Sequence, residues 1–356
     1  MTTPKVALAL GSGGARGYAH IGVLQALTAR GFEVSAIAGS SMGALVGGLH
    51  AAGKLDAYTD WVTGLTQRDV WLLLDPVLPG GPGAIRAERV LARVDELLDG
   101  QLIEDLSIPY IAVATDLMAR REVWFTHGPL MTAIRASIAI PMVITPIVVN
   151  GRLLLDGGVL NPVPLTPITP FPRDLTIAVS LAGEPEGSTP IGETAAPRPR
   201  GELLDRVRRG LLENDFVRPI VDRFAGDKEP EPEPRYEQAT GLNMLEVSQL
   251  ALEAMASMVE RYRTAAYPPD LTITIPRNVC GTLDFHRAGE VIGVGRECAE
   301  RALDAWLATH SAWRAAFDFP PAIGAGTGGA DHPALALSAA SVSGSSAVAA
   351  DEEPPG

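Results

Sequence analysis

Two short apolar runs near the amino terminus each end in a glycine-rich turn that opens a helical pattern. The first run, 6–10, meets the turn 11–14, and helically spaced apolar residues then continue up to Gly31. The second run, 32–38, ends at the turn 39–43, which also leads into a helix, and Gly31 and Gly53 are predicted to end the two helices. Strands and helices that alternate through short turns are typical of a parallel sheet covered on both faces. The sequence therefore predicts an α/β fold, a three-layer α/β/α sandwich with a largely parallel central sheet.

Later apolar segments extend this sheet. Buried strands are predicted at 108–114, 175–181 and 271–275, an antiparallel strand at 122–126, and a helix at 130–137. A hairpin is predicted at 147–155, because its central pair Asn150-Gly151 favours a type I′ turn. This hairpin delivers Asp156 to the end of a strand.

Composition changes after residue 182 and suggests four regions. They are a catalytic core at 1–182, a variable Pro/Glu-rich insert at 183–240 with one amphipathic helix at 202–224, a helical and strand completion of the domain at 241–320, and a disordered tail at 321–356. The completing region is predicted to hold helices at 242–262 and 287–307 around its strand. The tail is rich in Ala, Gly, Ser and Pro, a composition that does not form a packed core.

Charge and composition exclude several classes of protein. Of the 356 residues, 46% are hydrophobic and 20% charged, as in globular proteins. A formal net charge of −13 disfavours nucleic acid as a partner and strong electrostatic attachment to anionic lipid, but it leaves apolar contact with a membrane surface open. No run of 18 apolar residues and no signal peptide is evident. The two cysteines fit a reducing compartment, so the expected location is cytoplasmic, with peripheral membrane association left open. Nothing in the sequence indicates an oligomeric state.

The turn 39–43 reads Gly-Ser-Ser-Met-Gly and matches the pattern G-x-S-x-G. A serine on a sharp strand-to-helix turn is held in a strained conformation with its hydroxyl above the sheet. Gly39 and Gly43 allow strand and helix to approach closely. Ser41 is therefore a candidate nucleophile, although the pattern alone also fits a turn without chemistry.

The first turn continues to residue 17, and we call the segment 11–17 the glycine loop. It offers backbone N–H groups at the start of a helix, which is a natural site for an anion. In a hydrolase that anion is the tetrahedral oxyanion. The spacing of Gly11, Gly13 and Gly17 also fits a dinucleotide loop, with Glu33 as the acid that binds ribose. The exposed serine on the next turn disfavours the nucleotide interpretation.

A serine nucleophile needs a general base. The histidines lack a convincing setting: His20 lies inside the first helix, His127 ends a hairpin strand and His286 lies near a helix start. Asp156 precedes two glycines, Gly157 and Gly158. A carboxylate can act as the base if its site is partly dry, since desolvation raises its basicity, although an aspartate before two glycines also fits a turn cap.

Together the glycine loop, the G-x-S-x-G turn and the D-G-G sequence resemble the patatin-like phospholipase family and follow its order. A fourth segment, 136–141, reads Ala-Ser-Ile-Ala-Ile-Pro and is similar to the family's A-S-x-A-x-P. The likeness spans about 6–181 and continues through 281–287, which resembles small bacterial members. Their catalytic domain is similar to that of neuropathy target esterase. Ser12, where many members have glycine, departs from the pattern by a small residue only.

The resemblance implies a carboxylic ester hydrolase that uses a Ser–Asp dyad, Ser41 and Asp156, rather than a triad. It implies an oxyanion hole from the backbone N–H groups of Gly13, Gly14 and Ala15. Arg16 matches the loop's basic position, as a contact to the loop or to a substrate phosphate. No metal or cofactor is required, and the expected substrate is a lipid or another acyl ester.

Two other features have alternative interpretations. The segment 61–78 is rich in Trp and Leu and fits either a lid or membrane-touching edge beside the site, or a core helix followed by a loop. Asp116, at another strand end, is interpreted as a structural acceptor that braces a loop. For the whole chain, the alternative to an acyl-ester hydrolase is a lipid- or acyl-binding regulatory protein without turnover.

Overall fold

A mostly parallel sheet forms the centre of the molecule. The computed structural model describes residues 3–74, 83–85, 87–185 and 244–317. Within them the strands are β1 (Lys5–Leu10), β2 (Glu33–Ser40), β3 (Gly83–Ile85), β4 (Tyr110–Asp116), β5 (Arg121–Phe125), β6 (Met142–Ile144), β7 (Ile147–Val149), β8 (Arg152–Asp156), β9 (Leu175–Gly183) and β10 (Leu271–Pro276). Strands β3 and β6 form a separate parallel pair, and the others form one sheet in the order β10-β9-β1-β2-β4-β8-β7, with β5 paired to β4.

The parallel part of the sheet carries the two turns singled out by the sequence. Strands β10, β9, β1, β2 and β4 are mutually parallel, whereas β5, β8 and β7 join as antiparallel neighbours. Leu10 pairs with Gly39, so the glycine loop and the serine turn leave the same edge of the sheet side by side. The predicted α/β fold with a largely parallel sheet is confirmed.

The helices are α1 (Ala19–Ala29), α2 (Met42–Ala51), α3 (Leu55–Thr63), α4 (Gln67–Leu73), α5 (Glu88–Leu98), α6 (Leu130–Ser137), α7 (Met244–Ala266), α8 (Ala288–Thr309) and α9 (Ser311–Ala316). A 3₁₀ turn at Gly14–Tyr18 precedes α1, where the sequence pattern predicts a continuous helix. The predicted helix ends at Gly31 and Gly53 are confirmed, since φ is 78° and 66° at these glycines, in the left-handed region that glycine favours after a helix.

Alternate residues of the central strands face two different layers. Val6, Leu8 and Leu10 of β1 pack into the larger core beneath α1, α2 and α8. Ala7 and Ala9 pack on the other face, against a smaller cluster that includes Val163, Leu165 and Ile168. Strand β10 and helix α8, which come from the last described part of the chain, complete the same sheet and the same core layer.

The predicted hairpin and antiparallel strand are also confirmed. Strands β7 and β8 pair through Asn150 and Gly151, both with positive φ as a type I′ turn requires, and β5 pairs antiparallel with β4. The predicted insert at 183–240 lies outside the described residues except for 183–185, and its helix at 202–224 and the tail at 321–356 lie entirely outside them. None of the described helices is both long enough and apolar enough to cross a membrane.

Candidate active site

Ser41 occupies a strained backbone position between β2 and α2. Its φ of 57° and ψ of −126° are unusual for a residue with a side chain. The two motif glycines make the turn possible by close packing. A side-chain carbon on Gly43 would lie 2.1 Å from the carbonyl oxygen of Leu10, and one on Gly39 would lie 2.3 Å from that of Gly43. The strain at Ser41 is therefore imposed by the surrounding sheet and helix.

A second serine holds the backbone of Ser41 in place. The N–H of Ser41 donates to Oγ of Ser137 over 3.0 Å, and the Ser137 hydroxyl donates to the Val113 carbonyl over 2.6 Å. Ser137 is fully buried at the end of α6. The sequence singled out the segment 136–141 only as a family match, and the structure supplies a role for its serine. That role depends on a contact between residues 96 positions apart, which no local pattern reveals.

We expect Ser137→Ala to lower the kcat of ester hydrolysis by about 10- to 100-fold, because it would misplace Ser41, the candidate nucleophile, and a small misplacement of a reacting group is costly. Unfolding free energy should fall by about 1–3 kcal/mol, since the Ser41 N–H and the Val113 carbonyl lose their buried partner. Ester hydrolysis and thermal unfolding measure the two effects. The matched control is Ser40→Ala, which removes another buried hydroxyl bond, to the Asn161 carbonyl at 2.6 Å. Equal losses of kcat in both variants would contradict a specific role for Ser137.

Asp156 lies at the end of β8 and is fixed by its own backbone. Its N–H donates to the Ala139 carbonyl over 3.0 Å, and its carbonyl accepts from the Thr115 hydroxyl over 3.0 Å. Its side-chain Oδ1 accepts from the N–H of Gly158 over 2.7 Å. A side-chain carbon on Gly158 would approach Ser12 Oγ to 2.3 Å, so the turn after Asp156 packs closely on the glycine loop.

Burial controls the acidity of Asp156. Only 3% of the residue is exposed, and this desolvation raises the pKa of its carboxyl group from 3.8 to about 7. The Ser41 hydroxyl and the Gly158 N–H partly offset the shift, because both stabilise the charged form. Oδ2 has no hydrogen bond of ordinary distance and angle within the described residues, although the Ser41 hydroxyl is near enough to lower the pKa. The carboxylate thus has one oxygen held and the other available beside the serine.

The glycine loop differs in one respect from the expectation. The N–H of Ala15 donates to the Thr282 carbonyl over 2.9 Å, so it is not free to bind an oxyanion in this conformation. The N–H of Ser12 is likewise committed, to the Pro162 carbonyl at 2.9 Å. Among the main-chain bonds of the described ranges, the amides of Gly13 and Gly14 donate to no carbonyl. Gly14 has a φ of 57°, a left-handed backbone conformation that glycine adopts readily.

Arg16 braces the glycine loop. Its Nε donates to the Gly13 carbonyl over 3.2 Å, and one terminal nitrogen donates to the Arg277 carbonyl over 3.3 Å. The other terminal nitrogen lies 3.5 Å from the Glu253 carboxylate of α7. Of the two roles considered for Arg16, these contacts favour the loop contact over a substrate phosphate.

An apolar cavity opens beside Ser41. The empty space between its lining atoms, with the open solvent at its mouth included, is about 760 Å³. Leu45, Val90, Ile140 and Phe285 are among the side chains that line it. The segment 61–78 divides into two parts within the described residues: Trp61, Leu65, Val70, Leu73 and Leu74 line the cavity, whereas Trp71 is 64% exposed beside it.

The structure also tests the other polar residues considered. His20 is buried and hydrogen-bonded to the Gly11 carbonyl at 2.7 Å, and burial lowers its pKa to about 4, so it is a neutral packed residue. Asp116 accepts from the N–H of Ala119 over 2.9 Å, as a loop brace does. Glu33 begins β2, opposite Lys5, whereas the glycine loop follows Leu10 at the other end of that strand pair. The interpretation of Glu33 as a ribose ligand is therefore wrong.

Comparison with known proteins identifies the family of the chain. The family model described as patatin-like phospholipase matches residues 8–168. An uncharacterized NTE family protein of Mycobacterium tuberculosis is 46% identical over 338 residues, which cover 86% of this chain and 93% of that protein. Patatin-like phospholipase domain-containing protein 7 of Mus musculus is 31% identical over 198 residues, 52% of this chain and 14% of its own length. VipD from Legionella pneumophila gives a TM-score of 0.39 at 13% identity, over 85% of this chain and 67% of its own. The chain belongs to the patatin-like phospholipase family.

Proposed function

We propose that this protein is a serine hydrolase of lipid acyl esters, of the phospholipase A or lysophospholipase type, with Ser41 as nucleophile and Asp156 as its base. One observation carries the proposal. A serine on a strained turn borders an apolar cavity and lies beside a buried carboxyl group whose pKa is raised to about 7. A carboxylate with such a pKa is a useful base near neutral pH.

In the first step, Oγ of Ser41 attacks the ester carbonyl carbon, and its proton passes to Asp156. The resulting oxyanion is bound by backbone N–H groups of the glycine loop. Gly13 and Gly14 are the donors favoured by the main-chain bonding, while Ala15 would first have to release the Thr282 carbonyl. Asp156 then gives the proton to the leaving alcohol oxygen as the ester bond breaks, which leaves an acyl group on Ser41.

In the second step, Asp156 takes a proton from a water molecule as that water attacks the acyl carbon. The bond to Ser41 breaks, the fatty acid leaves, and Oγ regains the proton from Asp156. Gly157 and Gly158 serve this sequence by holding the aspartate, since the Gly158 N–H binds Oδ1. Arg16 serves it by bracing the loop through the Gly13 carbonyl.

The apolar cavity is the proposed site for the acyl chain, and this part of the proposal has its own test. Val90→Phe should fill part of the cavity. We expect this variant to lose at least about tenfold of the activity on p-nitrophenyl palmitate while it keeps its activity on the butyrate ester, because a long acyl chain needs more of the cavity than a short one. Hydrolysis of a graded series of p-nitrophenyl esters measures the optimum.

Val90→Ala is the matched control and should keep the wild-type optimum or shift it towards longer chains. An unchanged chain-length profile in Val90→Phe would mean that acyl groups bind elsewhere. Absence of hydrolysis of every ester by the wild type would instead favour the alternative, a protein that binds an acyl group without turnover.

A further inference from the structure

Helix α7 has its polar and apolar faces reversed relative to an ordinary surface helix. Such a helix normally turns its apolar stripe towards the core. In α7 the large apolar side chains that point outward are each between 51% and 72% exposed: Val247, Leu250, Met255, Met258 and Tyr262. Exposed alanines at 251, 254 and 265 complete the same stripe. We call this set the outward face of α7.

Polar side chains hold the opposite face of α7 against the protein. Glu253 accepts from the Thr282 hydroxyl over 3.1 Å and pairs with Arg16. The carboxyl group of Glu260 lies near enough to the side chain of Ser180, in β9, for that side chain to lower its pKa. Arg263 pairs with Glu122 of β5. These three contacts fix the rotation of the helix, so the exposure of its apolar stripe follows from bonded polar partners on the other side.

Helix α7 lies next to the mouth of the cavity. Thr282, which binds Glu253, is followed by Leu283, and Leu283 lines the cavity while 41% of it is exposed. Leu283 and the exposed Trp71 also line one shallow depression beside that mouth. Exposed large apolar side chains therefore occur on α7 and also at the mouth beside it, on Leu283 and Trp71. A group of exposed large apolar side chains marks a site of interaction.

The charge of the chain narrows the choice of partner. The formal net charge is −13, which disfavours an anionic surface. Within 247–266 the acidic residues, Glu253 and Glu260, are on the inward side, and the charged residue on the exposed side is Arg261. The outward face thus suits an uncharged or zwitterionic apolar surface.

We propose that the outward face of α7, together with Leu283 and Trp71, docks on a zwitterionic lipid surface and brings the cavity mouth to it. This inference rests on the proposed function, because a hydrolase of lipid esters must meet its substrate in an aggregate. The helix lies in the plane of the lipid boundary with its apolar side chains immersed. Docking raises the local supply of substrate without changing the catalytic groups.

The test is sedimentation of the full-length protein with phosphatidylcholine vesicles. The double variant Met255→Glu/Met258→Glu should partition onto vesicles at least about tenfold less than the wild type, because two immersed side chains become charged. The matched control, Met255→Leu/Met258→Leu, should partition as the wild type does. Hydrolysis of dissolved p-nitrophenyl butyrate should be equal in all three proteins, whereas vesicle hydrolysis should fall in the Glu variant alone.

Four outcomes would overturn the docking surface. Two of them are direct: the wild type does not bind vesicles, or the Glu variant binds them as the wild type does. A wild-type dimer that the Glu variant converts to a monomer in light scattering would assign the face to a second copy of the chain. A lower Tm of the Glu variant in the absence of lipid would assign the face to contacts with the chain's own residues. Vesicle binding that depends on α7 without hydrolysis of any ester would support the surface and refute the proposed function.

Discussion

Ser41→Ala is expected to lower kcat/KM for p-nitrophenyl esters by at least about 10⁴-fold, to the residual rate that substrate binding and the oxyanion hole supply without a nucleophile. The reason is that the alanine leaves no atom to form the acyl intermediate, while the cavity and the glycine loop stay intact. Steady-state assays of ester hydrolysis, with the wild type and the variant measured side by side, give the loss in kcat/KM. The removal of one buried hydroxyl should change the overall fold little, and circular dichroism checks this.

The strain at Ser41 provides an internal control for that result. Ser41→Gly removes the same hydroxyl and also relieves the positive φ of 57°, which glycine adopts without cost. We expect Ser41→Gly to be as inactive as Ser41→Ala and to have the higher Tm of the two. Full activity of Ser41→Ala would refute the serine mechanism, since no other residue of the proposal could then form the acyl-enzyme.

Asp156→Asn is expected to lower kcat by about 10³- to 10⁵-fold, because the amide cannot accept the serine proton. In the wild type, kcat/KM should rise with pH and level off above about pH 7, since burial raises the pKa of the Asp156 carboxyl to about 7 and only its charged form is a base. The variant's residual rate should lack this inflection. A wild-type profile that is flat between pH 5 and pH 9 would contradict Asp156 as the base.

The same pKa predicts an effect of Asp156 on stability. The folded state keeps the Asp156 proton up to about pH 7, whereas the unfolded chain loses it near its ordinary value of 3.8. Stability should therefore decline as pH rises from about 4 to about 7, by an amount on the order of 4 kcal/mol from this group, and change no further above that range. Asp156→Asn removes the charge and should unfold at a higher temperature than the wild type at pH 8. A variant that loses activity and gains stability, as we expect of Asp156→Asn, is typical of a buried group that is retained for catalysis at a cost in stability.

The features that the sequence predicts well are those with a local cause. Gly31 and Gly53 end helices because the chain needs a positive φ there, and Asn150-Gly151 makes the hairpin turn for the same reason. Ser41 and its flanking glycines lie between a strand and a helix, so their pattern already contains the geometry. The raised pKa of Asp156 also follows from a general expectation, namely that a carboxylate base must be partly dry.

The features that the sequence could not predict depend on distant partners. The N–H of Ala15 donates to the carbonyl of Thr282, more than 260 residues away. No local pattern shows this bond, so the family resemblance alone assigns the Ala15 N–H to the oxyanion hole. Ser137 reaches Ser41 across the end of β4. Helix α7 is predicted from its amphipathic pattern, yet that pattern would turn its apolar side inward. Its ion pairs with Arg16 and Glu122 set the opposite orientation, and no spacing rule within the helix contains them.

The clamp on the glycine loop also has a consequence for biosynthesis. Ser41 and Asp156 leave the ribosome first, and the Thr282 and Arg277 carbonyls that hold Ala15 and Arg16 follow more than 120 residues after Asp156. At ordinary rates of translation that interval lasts about ten seconds. During it the nascent chain carries the serine and the aspartate without the brace on the loop beside them. Under the proposed function, hydrolytic competence would therefore follow the synthesis of residues 277–282, and the growing polypeptide would spare nearby lipids until its sheet is complete.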